Sequence, residues 1–348
     1  MSGTSLDGLD IAYCEFIYKD GYWKYKIKET STVSYDQLWM EKLKKAIKAD
    51  SLELLSIHNQ YGTWLGDQCK NFIEKHELDI DFICSHGHTI FHQPEKGITY
   101  QIGSGQHLAN SSRHKVICDF RTKDVSLQGQ GAPLVPIGDK LLFTGYDFCI
   151  NLGGFSNISF EHNNERIAFD ISPVNIALNF LCQKINTSYD NKGAIARSGN
   201  VNQEILTKLD SLPFYEQQSP KSLGYEWFEE KIIPILENSN DSVQNLLYTT
   251  VKHISRQIAK VILENARNET SKILITGGGA KNTFLIDCIK NDLSHKHKVE
   301  IPDNIIIDYK EALIFAFLGV LKSRNEVNCL KSVTGAKVNS SGGIIYYP

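Results

Sequence analysis

The chain is 348 residues long, 41% hydrophobic and 22% charged, with a formal net charge of −3 and an isoelectric point near 6.4. That length sets a prior of two domains with well-buried cores, and the slightly acidic balance excludes a nucleic-acid surface built on bulk positive charge. No apolar run approaches the ~20 residues of a membrane span, no Lys or Arg precedes Lys19 to make a signal peptide, and the eight scattered cysteines form no C-x-x-C. The expectation is a reduced, soluble, cytoplasmic chain without membrane or nucleic-acid partners.

In chain order, the first feature is a Gly/Ser/Thr-rich turn over residues 1–10, M-S-G-T-S-L-D-G-L-D, ahead of the apolar run Ile11-Ala12-Tyr13-Cys14. Such a turn leaves backbone N–H groups and hydroxyls to face anionic oxygen. Asp7 or Asp10 is placed to hold a divalent cation through water. The plainer reading is a hairpin turn. Residues 11–18 and 22–34 read as two strands joined at Lys19-Asp20-Gly21. Residues 36–76 read as charged helix, with Asp36 as N-cap.

Ile80–Cys84 reads as a short buried strand that runs into Ser85-His86-Gly87-His88. Two histidines two apart on an extended chain point to opposite sides, so a hydroxyl-binding or capping role outranks a metal site. A strand at residues 116–120 leads into Asp119-Phe120-Arg121-Thr122-Lys123-Asp124. There Arg121 can clamp a carboxylate or phosphate, or the segment is a solvated loop with ordinary ion pairs. Gly129-Gln130-Gly131-Ala132-Pro133 breaks the pattern and suggests a lobe boundary near 125–145.

Phe148–Leu152 is a further strand, ending at Gly153-Gly154. Asp170 follows Ala168-Phe169 and precedes a proline turn. That suits a general base, although from spacing alone a helix cap is the stronger reading. Leu247, Val251, Ile254, Ile258, Val261 and Ile262 share one helical face. The run Ile273-Leu274-Ile275 opens a second phosphate-type turn at Thr276-Gly277-Gly278-Gly279-Ala280. Residues 309–324 read as a buried helix. Strands that end in glycine turns and alternate with helices make mixed α/β sheets. In such sheets ligands gather at the carboxyl ends of strands, where His86, Asp119, Arg121, Asn151 and Asp170 fall. Two phosphate-type turns so far apart suggest a nucleotide held between two lobes. Neither is a Walker loop.

Taken together, ordered segments along the whole chain resemble one family, the 1,6-anhydro-N-acetylmuramic acid kinases. They include M-S-G-T-S-L-D-G at 1–8, S-H-G-H-T-I at 85–90, D-F-R-T-K-D at 119–124 and G-Q-G-A-P-L-V-P at 129–136. N-L-G-G-F-S-N at 151–157, F-D-I-S-P-V-N at 169–175, P-K-S-L-G at 220–224, T-G-G-G-A-K-N at 276–282 and E-A-L-I-F-A at 311–316 follow. The resemblance implies a two-lobed sugar kinase/Hsp70/actin-like (ribonuclease H-like) α/β fold around a nucleotide and substrate cleft. The N-terminal lobe would span 1–135 and the C-terminal lobe 136–348, the last helix packing back on the first lobe. ATP would meet Gly3, Thr4, Ser5, Leu6, Asp7, Gly8 and Asp10 in the first loop, Gly153 and Gly154 in the second, and Gly277, Gly278 and Gly279 near the adenosine. Mg²⁺ would accompany it, reached by Asp7 through water. Asp170 matches the catalytic aspartate, and His86, Asp119, Arg121, Lys123, Asn175 and Glu311 are the candidate sugar contacts.

The implied reaction is hydrolytic opening of the anhydro bridge with phosphorylation of O6, giving N-acetylmuramic acid 6-phosphate in cell-wall recycling. The partners would be the sugar and ATP, and the likeness suggests a homodimer. The alternatives are a kinase or ATPase of the same fold on another small sugar, a non-catalytic nucleotide-binding protein, and a glycoside hydrolase using Asp170 and Asp119. Family members begin with an apolar strand ahead of the first loop. The resemblance therefore implies either a start set too late or a shortened first strand. His88 in place of glutamine, Thr122 in place of a basic residue, and the Ile171–Val174 turn in place of a glycine-rich one bear on fine specificity rather than reaction class.

Overall fold

The computed structural model describes residues 1–3, 6 and 8–348. It divides into two compact units, residues 1–142 with 309–348, and residues 143–308.

In the first unit, β1 (Leu9–Lys19) and β2 (Tyr22–Val33) form an antiparallel hairpin from Leu9↔Val33 to Lys19↔Tyr22. Asp20 and Gly21, both at positive φ, make the two-residue turn whose twist suits such a hairpin. Ahead of β1, Ser2 bridges to Leu9. Met1 and Asp10 exchange both backbone hydrogen bonds.

The charged helical segment expected over residues 36–76 consists of two helices. These are α1 (Gln37–Ala46), capped by Asp36, and α2 (Ser51–Lys75), capped by Asp50, which accepts from the Glu53 N–H. The second cap supplies the break: its carboxylate satisfies an N–H orphaned at a helix start. α2 sends Tyr61 and Leu65 into a core shared with Trp39, Ile102 and Leu108.

Next come β3 (Ile83–Cys84), β4 (His88–Gln93), β5 (Ile98–Ile102), α3 (Gly105–Ser112), β6 (Val116–Cys118), α4 (Thr122–Ser126) and α5 (Val135–Leu142). β4 and β5 pair antiparallel, and β3 lies parallel to β6. The strands at β3 and β6 are shorter than the sequence pattern suggests.

The second unit is built on β7 (Phe148–Leu152), β8 (Phe155–His162), β9 (Glu165–Pro173), α6 (Asn175–Gln183), α7 (Val243–Asn265), β10 (Lys272–Thr276), α8 (Thr283–Asp292) and β11 (Lys298–Glu300). Its five-stranded sheet runs β11-β10-β7-β8-β9. β8 is antiparallel to β7 and to β9, while β10 and β11 run parallel to β7. A meander of three strands, followed by two added in parallel on the far side of the first, is the ribonuclease H-like order. Leu247, Val251, Ile254, Ile258 and Ile262 of α7 are fully buried, as their shared helical face requires.

The chain then returns to the first unit. Helix α9 (Asn304–Ser323) begins among residues of the second unit and ends in the first. There Phe317 packs on Phe16 and Trp23 of the hairpin, at ring distances of 5.3 and 5.1 Å. Lys310 forms a buried ion pair with Asp139 of α5 at 2.7 Å. Finally β12 (Ile344–Tyr346) pairs antiparallel with β6. The sequence division set the boundary at 135/136, with the last helix packing back on the first lobe; the compact units run 1–142 with 309–348, and 143–308. The ladder to β6 and the apolar face of α9 place 309–348 with the first unit, and α5 belongs there too.

Candidate active site

In each unit, parallel strands deliver the candidate residues to one sheet edge. In the second unit β7, β9 and β10 all point the same way, so their carboxyl ends lie together. Those ends carry Gly153-Gly154, the Asp170–Pro173 segment and Gly277–Gly279.

Gly277 has φ +81, and a Cβ there would lie 2.5 Å from Asn151 Oδ1 and 2.8 Å from the Leu152 carbonyl oxygen. No L side chain fits that conformation in that space. Gly279 presses as closely on Leu152. The Gly153 and Gly154 carbonyls accept from the N–H groups of Asn175, Val174 and Ile176 at the start of α6. The Gly153 N–H is held by the Phe155 carbonyl at 3.1 Å. Above Gly154 the space is open, with nothing within 4 Å of a Cβ, and among the described residues no hydrogen bond takes its N–H. Asn175 donates its amide to the Leu152 carbonyl at 3.2 Å, which staples the glycine turn to the helix.

Asp170 does not cap a helix, contrary to the reading from spacing. Helix α6 has Val174 at its N-cap and no side-chain cap. Asp170 sits inside β9, half-buried, opposite Asn157 and next to a bulge that leaves Ile171 unpaired between Asn157↔Asp170 and Ser156↔Ser172. A bulge re-aims the neighbouring side chains. Desolvation pushes the Asp170 carboxyl up, and a hydrogen bond from the Leu223 N–H pulls the other way.

In the first unit the parallel ends of β3 and β6 bring His86 and Arg121 into contact. The Arg121 Nε and Nη2 both lie 3.0 Å from His86 Nε2, and Nη1 donates to the Gly131 carbonyl at 2.7 Å. With Nε2 accepting, the proton of His86 belongs on Nδ1, which donates to the Gly87 carbonyl at 3.1 Å. Burial and the adjacent guanidinium hold the imidazole well below its usual range. Desolvation lowers Arg121 to about 10, so the pair carries one positive charge at neutral pH.

Glu311 of α9 attracts Arg121, and Phe315, one turn further, packs against both His86 (4.7 Å) and Arg121 (5.7 Å). The Glu311 carboxyl is pushed up, first by desolvation. It remains solvent-accessible, and the neighbouring Arg121 pulls the other way.

The other candidates fall differently. Asp119 adopts a left-handed conformation (φ 60) and accepts from the Thr122 N–H. The ammonium of Lys123 is turned to the Ser341 carbonyl at 3.1 Å. Asp10 accepts from Thr32 Oγ1 at 2.7 Å. Gly8 lies against the Val33 carbonyl, and Leu6 donates its N–H to the Gly3 carbonyl. Thr4, Ser5 and Asp7 lie outside the described residues. His88 is engaged with Ser2, not with His86. Among the described residues no cluster of three or more His, Cys, Asp or Glu is arranged to hold a metal, and no helix is long and apolar enough to cross a membrane.

The whole chain, residues 1–348, matches the model of one family, anhydro-N-acetylmuramic acid kinase. This chain belongs to that family. It is 31% identical to the anhydro-N-acetylmuramic acid kinase of Bacillus thuringiensis subsp. konkukian, over all of this chain and 98% of the relative. Against the enzyme of Mannheimia succiniciproducens the figures are 32%, 99% and 97%. Against that of Clostridioides difficile they are 33%, 97% and 94%.

Within this kinase family member, the D-F-R-T-K-D segment holds a residue that sequence reasoning passed over. Asp124 is neither solvated nor ion-paired in the ordinary way. It is 1% exposed and accepts from the Gly131 N–H (2.7 Å), Thr334 Oγ1 (2.8 Å) and Cys329 Sγ (3.0 Å). It anchors the Gly129–Pro133 loop, whose Gly131 carbonyl in turn holds Arg121. The nearby G-Q-G turn was the available signal. Asp124→Ala leaves buried donors without an acceptor and is expected to cost about 3 kcal/mol. Urea unfolding measures this, and a loss under about 1 kcal/mol would show the anchor to be dispensable.

Proposed function

We propose that this chain is an ATP-dependent kinase of 1,6-anhydro-N-acetylmuramic acid. It opens the 1,6-anhydro ring with water and phosphorylates O6, giving N-acetylmuramic acid 6-phosphate for cell-wall recycling. The observation that supports it best is Asp170, a half-buried carboxylate beside two glycine turns at one sheet edge, in a chain of this family.

Asp170 is the base. One oxygen is held by the Leu223 N–H, and the other takes the proton of a water that attacks the anomeric carbon. The C1–O6 bond breaks as the new C1–O bond forms, and O6 takes the γ-phosphoryl of ATP, releasing ADP. A carboxylate whose proton affinity is raised by desolvation is a stronger acceptor for the proton of water.

The Gly154 N–H and the Gly277–Gly279 turn serve the nucleotide, where backbone donors stabilise phosphoryl transfer without themselves reacting. Arg121, oriented by His86 and Gly131, serves the sugar's lactyl carboxylate. Glu311 and Asp119 serve its hydroxyls. Among the described residues no carboxylate cluster is arranged for a metal, which suits a magnesium ion held mainly by nucleotide phosphates. Asp10 is the described carboxylate of the first loop, and the ion would supply charge neutralisation at the phosphates. The enzyme works where ATP is supplied, in the cytoplasm.

The test is turnover of the anhydrosugar with ATP and Mg²⁺, following ADP and the 6-phosphate together. One-to-one formation of both is expected. Ring opening without ATP would favour a hydrolase. Faster phosphorylation of another sugar would favour the broader kinase reading, and nucleotide binding without turnover a binding protein.

A further inference from the structure

β9 is the outermost strand of its sheet. Its free edge would expose backbone donors and acceptors, and folded proteins cover such edges. Here the cover is the P-K-S-L-G segment, residues 220–224. The Asp170 N–H donates to the Lys221 carbonyl at 3.1 Å. Two residues on, the Leu223 N–H donates to Asp170 Oδ2 at 2.8 Å. One short segment therefore grips the same residue twice, by its backbone and by its carboxylate. Among the described residues no other hydrogen bond reaches that carboxylate.

The segment is itself fixed. The Lys221 ammonium donates to the Phe214 carbonyl at 3.3 Å and lies over the Phe214 and Phe169 rings, at 4.8 and 5.6 Å. Phe169 immediately precedes Asp170, so the lysine bridges the strand and the turn of residues 213–216. Next to Phe214, Tyr215 is hydrogen-bonded to the buried His253 of α7 at 2.8 Å. His253 is bonded in turn to Asp210 at 2.6 Å. A continuous set of contacts thus runs from a core helix to the carboxylate.

We propose that Lys221–Leu223 is a positioning clamp for Asp170, which holds the carboxylate by Oδ2 and so presents Oδ1 to the attacking water. The proposal rests on the reading of Asp170 as the base. Lys221 and Leu223 act through Asp170 and are positioning residues. A donor on the ionised carboxylate favours the charged form, so the clamp also moderates the basicity that burial gives.

The deciding variant removes one N–H. Leu223→Pro does so, and an ester in place of the 222–223 amide does so without a ring, in case the proline variant fails to fold. Leu223→Ala keeps the N–H and is the control. Two readouts are taken on the full chain. The first is the titration of the Asp170 carboxyl by NMR on ¹³C-aspartate-labelled protein, assigned with Asp170→Asn and needing no turnover. The second is the acid limb of kcat/KM against pH with the anhydrosugar. Loss of the N–H is expected to move both upward by about one pH unit, and to cut kcat about tenfold with KM for ATP unchanged. Leu223→Ala should match the parent, and Lys221→Met should shift in the same direction by less. An Asp170 titration unchanged in both the ester and the proline variant would overturn the clamp. If the parent fails to turn over the anhydrosugar, the function reading falls, while the NMR titration still decides the clamp.

Discussion

Asp170→Asn is expected to lower kcat on the anhydrosugar about a thousandfold while leaving KM for ATP and the fold unchanged. The change is nearly isosteric, and the amide oxygen can still accept from the Leu223 N–H that now reaches Oδ2. What is lost is the capacity to take a proton, which general base catalysis values at about 10²–10⁴-fold. Stability should not fall. Desolvation raises the Asp170 carboxyl above its usual range, so the native state binds this proton more tightly than the unfolded chain. Stability contributed by this group therefore decreases as pH rises through that interval, and above it the ionised carboxylate weighs against folding. Removing the charge should make the Asn variant equal to or slightly more stable than the parent at pH 7, a trade common at active sites. Steady-state kinetics and urea unfolding on the same preparations check both halves. A drop in kcat of less than tenfold would mean that another group activates the water.

Much of this architecture is legible in local pattern. Asp20-Gly21 between alternating strands marks the hairpin, and Asp36 ahead of an amphipathic run marks a helix start. The spacing of Leu247, Val251, Ile254, Ile258 and Ile262 marks a helix buried along one side. The polar residues read at strand ends include His86 and Arg121, which follow β3 and β6 in the first unit, and Asp170, which lies near the end of β9 in the second. What escaped was long-range. Nothing near Asp170 in sequence announces that its carboxylate bonds to residue 223, because that contact exists only once β9 is placed at the edge of its sheet. The same holds for Asp124, whose partners Cys329 and Thr334 are some two hundred residues away. The exact division into units is hard to read from sequence for a related reason. Hydrophobic pattern shows that α9 is buried, but not which core it buries against. Phe317 against Phe16 and Trp23, and β12 against β6, settle that.

The protein is expected to lose stability steeply as pH falls from about 6.5 to about 4, and His88→Gln to remove a large part of that loss. The cause is a buried chain of hydroxyls from Tyr61 through Tyr35 to Ser2. Tyr35 donates to Ser2 Oγ at 2.7 Å, so its 2.6 Å bond with Tyr61 must have Tyr61 as donor. Ser2, 2.9 Å from His88 Nδ1, then donates to the imidazole. Every proton points one way, and the chain ends on a neutral ring. Burial holds His88 down to about 4, from an ordinary 6.5. The unfolded chain therefore binds a proton here that the native state refuses, and stability falls as pH drops through that window. From His88 alone the loss by pH 4.5 is about 2.5 kcal/mol. Protonation also turns Nδ1 into a donor aimed at a hydroxyl that is itself donating, so the hydroxyls of Ser2, Tyr35 and Tyr61 must turn round. Glutamine can accept from Ser2 and does not titrate in this range. Unfolding free energies at pH 7.5 and 4.5, followed by tryptophan emission, make the comparison, since Trp23, Trp39 and Trp64 all belong to the first unit. The Gln variant should show a pH difference smaller by about 2 kcal/mol or more. An equal difference in the two proteins would move the acid sensitivity to His86 and His253, which are also held down by burial.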